Sequence, residues 1–292
     1  MKRTLKLSIT LLVCLVLPGM AAASEGEHMD RVVLAEKNMR ELFGDTQSAL
    51  ESSDPDFAQM RDRLIYGEIA VNSSLDAKMQ ELVTLVVLTA SRSWDEVKLH
   101  AEAALRAGAT PVEIKEALYQ CAPYAGFPPA EKAIGLVNEV FEERNIALPV
   151  ESQSTVTEAS RFADGLAVQK SIFGATIDQM HASTPENQKD IMTNYLSAFC
   201  FGDIYTRTGL DLKTRELLTF CIISSLGGCE SQVKSHVQGN VNVGNSKEML
   251  IDALAQSLPY IGFPRTLNAL GCVNAVIPEK NPDNETFCQC II

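Results

Sequence analysis

Leu210-Asp211-Leu212-Lys213-Thr214-Arg215-Glu216-Leu217-Leu218-Thr219 repeats an earlier stretch, Leu75-Asp76-Ala77-Lys78-Met79-Gln80-Glu81-Leu82-Val83-Thr84, at an offset of 135 residues. Tyr66-Gly67 and Phe201-Gly202 share that offset. One residue is then inserted in the second copy. Past it, Val97-Lys98-Leu99-His100 aligns with Val233-Lys234-Ser235-His236, and Gly108 with Gly244. Pro123-Tyr124-Ala125-Gly126-Phe127-Pro128 then aligns with Pro259-Tyr260-Ile261-Gly262-Phe263-Pro264. A period this long is the size of a domain, so the chain reads as a tandem duplication rather than a solenoid. The first domain spans residues 30–147 and the second 158–280. A polar connector without helical period, residues 148–157, joins them, and a cysteine-containing tail follows at 281–292.

Each copy reads as helices. Asp76 is a good N-cap for a segment, Leu82 to Thr89, that is apolar on nearly every face and so belongs in a buried central helix. Trp94 to Ala107 is amphipathic and stops at Gly108. Thr110-Pro111-Val112-Glu113 carries a capping box with proline in the first turn. That helix runs to Tyr124 and breaks at Gly126, and another follows from Pro129 to Arg144. The Val-rich runs are too long for strands and lack hairpin turns, so the fold class is all-α.

Composition narrows the function classes. The 292 residues are 46% apolar, which excludes disorder, and carry a net charge of -12. The acidic balance argues against nucleic acid as a partner. Residues 1–23 have a basic start, a short apolar run and Ala21-Ala22-Ala23 before Ser24, the layout of a signal peptide cleaved after Ala23. The expected address is periplasmic or secreted, with no membrane insertion after cleavage. Cys121, Cys200, Cys221 and Cys272 lie in apolar helical contexts and read as small core residues. Cys288 and Cys290 lie on the polar tail, and Cys229 stands apart from both groups.

The chemistry-bearing residues are paired by the repeat: Glu81 with Glu216, and His100 with His236. A carboxylate one turn inside an apolar helix needs a partner, and burial moves its proton affinity toward the range useful for proton transfer. Read without chemistry, the same Glu and His form a structural hydrogen bond between helices. Two candidate ligands per domain fall short of the three a metal site needs, so no metal is expected, and no cofactor. His181, just before Thr184-Pro185, reads as a loop residue, and His28 as solvated.

The ordered set from Phe201-Gly202 through Arg215-Glu216, His236 and Gly244 to Tyr260-Ile261-Gly262-Phe263-Pro264 closely resembles the carboxymuconolactone decarboxylase family, which includes the alkylhydroperoxidase D-like proteins. The resemblance implies the alkylhydroperoxidase D-like helical fold and a homo-oligomer, here a trimer of tandem chains. In that family's redox branch a Cys-x-x-Cys pair precedes the histidine. The matching positions here are Ser93 and Glu96 before His100, and Cys229 and Gln232 before His236. A thiol peroxidase of the peroxiredoxin type would therefore centre on Cys229 and need a thiol reductant. In the decarboxylase branch the resemblance implies a small-molecule substrate. Arg215 would then meet its carboxylate, Glu216 and His236 would move the proton, and Tyr260, with Tyr124 as its counterpart, would donate a hydrogen bond. The leading expectation is an exported enzyme using a Glu–His relay on a small lactone or carboxylate, with the second copy active. The alternatives are the Cys229 peroxidase and a non-catalytic oligomeric binding protein of the same fold.

Overall fold

A computed structural model of the chain describes residues 30–279 apart from 47 and 49. The expected signal segment, Cys14, His28, Cys288 and Cys290 lie outside the described residues. The fold is all-α. The first copy contains α1 (Arg31–Phe43), α2 (Leu50–Ser53), α3 (Pro55–Leu64), a π-helical turn (Ile65–Ile69), α4 (Ala77–Ser91), α5 (Val97–Arg106), α6 (Pro111–Ala125) and α7 (Phe127–Glu143). The second contains α8 (Arg161–Phe173), α9 (Thr176–Ser183), a longer π-helix (Asp190–Tyr205), α10 (Leu212–Leu226), α11 (Glu230–Asn242) and α12 (Lys247–Val276). Helix α12 corresponds to α6 and α7 together. It turns at Gly262, whose φ of 74° matches the 93° of Gly126 between α6 and α7.

Local signals set the helix starts. The Asp76 carboxylate accepts from the Met79 amide and that of Asp211 from the Thr214 amide. Thr110 and Glu113 close their capping box, and Ser246 caps the counterpart helix. Some boundaries differ from the sequence reading. The expected helix from Trp94 opens as a 3₁₀ turn (Trp94–Glu96) before α5. Helix α7 begins at Phe127, because Pro128 fits a first turn in which its missing N–H costs nothing. His181 lies on α9 rather than in a loop.

Every residue from Gln80 to Ala90 on α4, and from Arg215 to Ser225 on α10, is buried. Helices apolar all round need neighbours on every side. Each copy alone cannot supply them, and α4, α6, α10 and α12 therefore pack against one another across the repeat. The two homologous domains share one continuous core that includes Leu85, Leu118, Leu218 and Leu254. On its flanks, α1 and α8 lie against the two π segments. A Cβ on Gly67 would collide with the Arg31 carbonyl oxygen, and one on Gly202 with that of Arg161, so only glycine permits the approach. The connector is held down by bonds from the Thr208 amide to the Gln153 carbonyl (3.0 Å) and from the Thr155 hydroxyl to the Thr206 carbonyl (2.9 Å). No helix of the described residues is long and apolar enough to cross a membrane.

Candidate functional site

The structure joins both Glu–His pairs. His236 Nδ1 lies 2.9 Å from Glu216 Oε2, and His100 Nδ1 lies 2.7 Å from Glu81 Oε2. In each pair the carboxylate comes from the second turn of a central helix and the imidazole from the next helix. Binding through Nδ1 leaves Nε2 as the nitrogen available to a ligand. Each histidine lines a cavity, of about 730 Å³ at His236 and about 450 Å³ at His100.

Each cavity is built from both copies. Tyr124, on α6 of the first copy, packs edge-on against His236 with ring centroids 5.6 Å apart. Tyr260, from the second copy, packs edge-on against His100 at 5.7 Å, with its hydroxyl 3.3 Å from His100 Nε2. The grouping of Tyr260 with Glu216 and His236 is thereby corrected. The chain crosses over, because α6 and α12 each pack on the other copy's central helix. Phe173 and Phe43, at the ends of α8 and α1, also pack perpendicular to His236 and His100, with centroids at 5.5 and 5.8 Å.

A hydrogen-bonded chain extends the His236 site. The Tyr205 hydroxyl donates to Glu216 Oε1 at 2.8 Å, so its oxygen is left to accept from Thr219 (2.8 Å) and Tyr124 (3.1 Å). Burial, reinforced by the neighbouring Cys200 and Glu216, raises the Tyr124 phenol well above its ordinary value. Burial and then Glu216 do the same to Tyr205. Both phenols therefore stay neutral donors. Tyr205 was not legible in the repeat, since its counterpart is Ala70. Phe43 and Phe173 could have been found, because they match at an offset of 130 upstream of the aligned block.

Arg215 lines neither cavity. It is fully buried, and its guanidinium is bound to Glu116 Oε2 (2.8 Å), Gln120 Oε1 (3.0 Å) and the carbonyls of Arg207 and Thr208 (3.0 and 3.1 Å). Glu116 also accepts from Arg207 Nε. Glu116 and Gln120 belong to α6, so Arg215 clamps the second copy to the first and is not free to meet a substrate carboxylate. In the pseudo-symmetric place Gln80 donates to the carbonyls of Leu75 (2.8 Å) and Ala70 (3.1 Å), and Asp252 accepts from Ser74. Gln256, the counterpart of Gln120, is left with a buried Oε1 that has no hydrogen-bond partner among the described residues.

The five described cysteines are all free. Cys229 is the N-cap residue of α11, partly exposed, and lines the His236 cavity. Cys200 lines the same cavity from the π-helix, but burial pushes its thiol up to about 12. Cys121, Cys221 and Cys272 are core residues. Ser93 and Glu96 stand where the first copy would hold a thiol pair, and Glu96 lines the His100 cavity. Among the described residues no group of three or more His, Cys, Asp or Glu side chains is gathered to hold a metal ion.

The model of the carboxymuconolactone decarboxylase family matches the chain twice, over residues 55–139 and 192–275. The chain belongs to the carboxymuconolactone decarboxylase family. Two relatives carry decarboxylase names. One is the 4-carboxymuconolactone decarboxylase of Acinetobacter baylyi, 31% identical over 123 residues, covering 42% of this chain and 89% of the relative. The other is the nitrosuccinic acid decarboxylase of Metarhizium robertsii, 32% identical over 101 residues, covering 33% of this chain and 70% of the relative. A crystal structure from Burkholderia xenovorans, provisionally assigned as a gamma-carboxymuconolactone decarboxylase subunit, superimposes with a TM-score of 0.50. It is 19% identical, and the match covers 85% of this chain and 97% of that one, a likeness of fold.

Proposed function

We propose that the chain is an exported carboxy-lyase whose working site is the His236 cavity. The observation that carries this reading is the Glu216–His236 pair at the wall of an open-mouthed, mainly apolar cavity. The relatives' names point to acids whose carboxylate is adjacent to a lactone or a nitro group. Such acids can lose CO2 because the electron pair of the breaking C–C bond passes into that group. The carbanion then takes a proton from His236 Nε2–H, giving R–H and CO2. Glu216, held by Tyr205, fixes the Nδ1 hydrogen bond and balances the imidazolium before transfer. Phe173 and Tyr124 hold the ring plane. A carboxylate moved from water into apolar walls is destabilised relative to neutral CO2, which favours the forward step.

His236→Asn and Glu216→Gln should each lower CO2 release from a panel of lactone and nitro acids by about 10²-fold or more, with the fold intact by circular dichroism. The second reading, a thiol peroxidase, is favoured by the position of Cys229 in the same cavity as His236. Loss of CO2 release in Cys229→Ser, or peroxide turnover that needs Cys229 and a thiol reductant, would replace the first reading with the second. Export is tested separately, by the mass of the N-terminus in the mature protein, which should begin at Ser24.

A further inference from the structure

The two cavities occupy equivalent places in the fold and differ sharply in charge. The His100 cavity is lined by Arg61, Asp62, Asp95 and Glu96 among others. By the repeat alignment their counterparts are Leu196, Ser197, Ser231 and Gln232, none of them charged. The larger His236 cavity has no lysine, arginine, aspartate or glutamate in its lining among the described residues, and His236 is the one side chain there that can become a cation. Ile177, Met180, Leu196 and Phe199 supply the inner wall. The apolar surface continues to the mouth, where Ile191 and Tyr195 are 71% and 61% exposed.

We infer that the His236 cavity takes an acid with one carboxylate and an apolar body, not a small polycarboxylate. This deepens the acid–base reading and rests on it only for the fate of the ligand. A first carboxylate can face His236. A second would lie against methionine, leucine and phenylalanine with no charged partner, and an unpaired charge removed from water is strongly disfavoured. An aliphatic or aromatic body, by contrast, gains from every apolar wall it covers. The volume of about 730 Å³ holds a body larger than a single small ring.

The test is calorimetric titration of the full chain with decanoate and with tricarballylate. Decanoate lacks an electron-withdrawing neighbour and is not decarboxylated, so its binding reads the cavity alone. Decanoate should bind at least ten-fold tighter than tricarballylate. Leu196→Arg, which installs a cation at the place Arg61 holds in the other cavity, here without a carboxylate beside it in the lining, should reverse that preference. Met192→Asp, at a half-exposed point of the wall, should weaken decanoate at least ten-fold and guards against a misfolded arginine variant. Tighter binding of tricarballylate, or decanoate binding indifferent to both variants, overturns the inference. Binding as expected in a chain that decarboxylates no acid would keep the inference and remove the acid–base reading. CO2 release from a polycarboxylate without decanoate binding would do the reverse.

Discussion

The junction around Arg215 and the junction around Gln80 hold the same two copies together at pseudo-equivalent places. One uses a buried charged network of Arg215, Glu116, Arg207 and Gln120. The other uses neutral bonds from Gln80, with Asp252 turned to Ser74 and one amide oxygen of Gln256 unsatisfied. The Glu–His pairs beside these junctions are nearly identical in geometry, as are the aromatic rings that flank them. The duplication has kept the groups that must touch one another and relaxed those that only surround them. A buried arginine is therefore as readily a clamp as a ligand, and which of the two it is depends on the helix opposite.

The sharpest way to break this comparison is to remove the charge from one junction. Arg215→Met should cost about 3 kcal/mol, the low end for breaking a buried ion pair, because Arg207 still faces Glu116. Gln80→Met should cost about 2 kcal/mol, roughly 1 for each of its two hydrogen bonds to carbonyls. Urea denaturation of both variants measures the difference, and equal losses would end the claim that the junctions differ.

A second contrast lies inside the His236 cavity. Cys200 is pushed by burial up to about 12, so at pH 8.5 its thiolate fraction is on the order of 10⁻³ or less. Iodoacetamide at that pH should label Cys229 at least about 10²-fold faster than Cys200, read by peptide mass spectrometry. The same shift has a stability consequence. Cys200 and Cys221 both rise from 9.0 to about 12 on folding, so the folded chain holds their protons more tightly than the unfolded chain. That contribution is intact below pH 9 and is lost as the pH rises toward 12. Melting temperature should fall across this alkaline window, and a flat profile would contradict the burial of these thiols.

A third contrast concerns Tyr205, whose counterpart in the first copy is Ala70. Tyr205→Phe removes its hydrogen bond to the Glu216 carboxylate, worth about 1.5–3 kcal/mol. CO2 release at the His236 site should fall about ten-fold with its pH profile shifted, because Glu216 then holds His236 less firmly. Ala70→Tyr in the first copy should bring no matching gain. A Tyr205→Phe variant with an unchanged pH profile would make the hydroxyl a packing feature only.

Much of the molecule was legible before any coordinates. The repeat, the central apolar helices, the caps at Asp76 and Thr110, and the joining of Glu81 to His100 and of Glu216 to His236 all follow from the sequence. Caps and helical periodicity are local, and residues 19 or 20 apart on consecutive helices meet whenever those helices pack side by side. The crossing of Tyr124 to His236 and of Tyr260 to His100, the burial of Arg215 against Glu116, and the loss of charge around His236 were decided only by tertiary structure. Those features depend on which helix of one copy lies against which helix of the other. That choice is made where two all-apolar helices, each lacking enough neighbours of its own, cover one another.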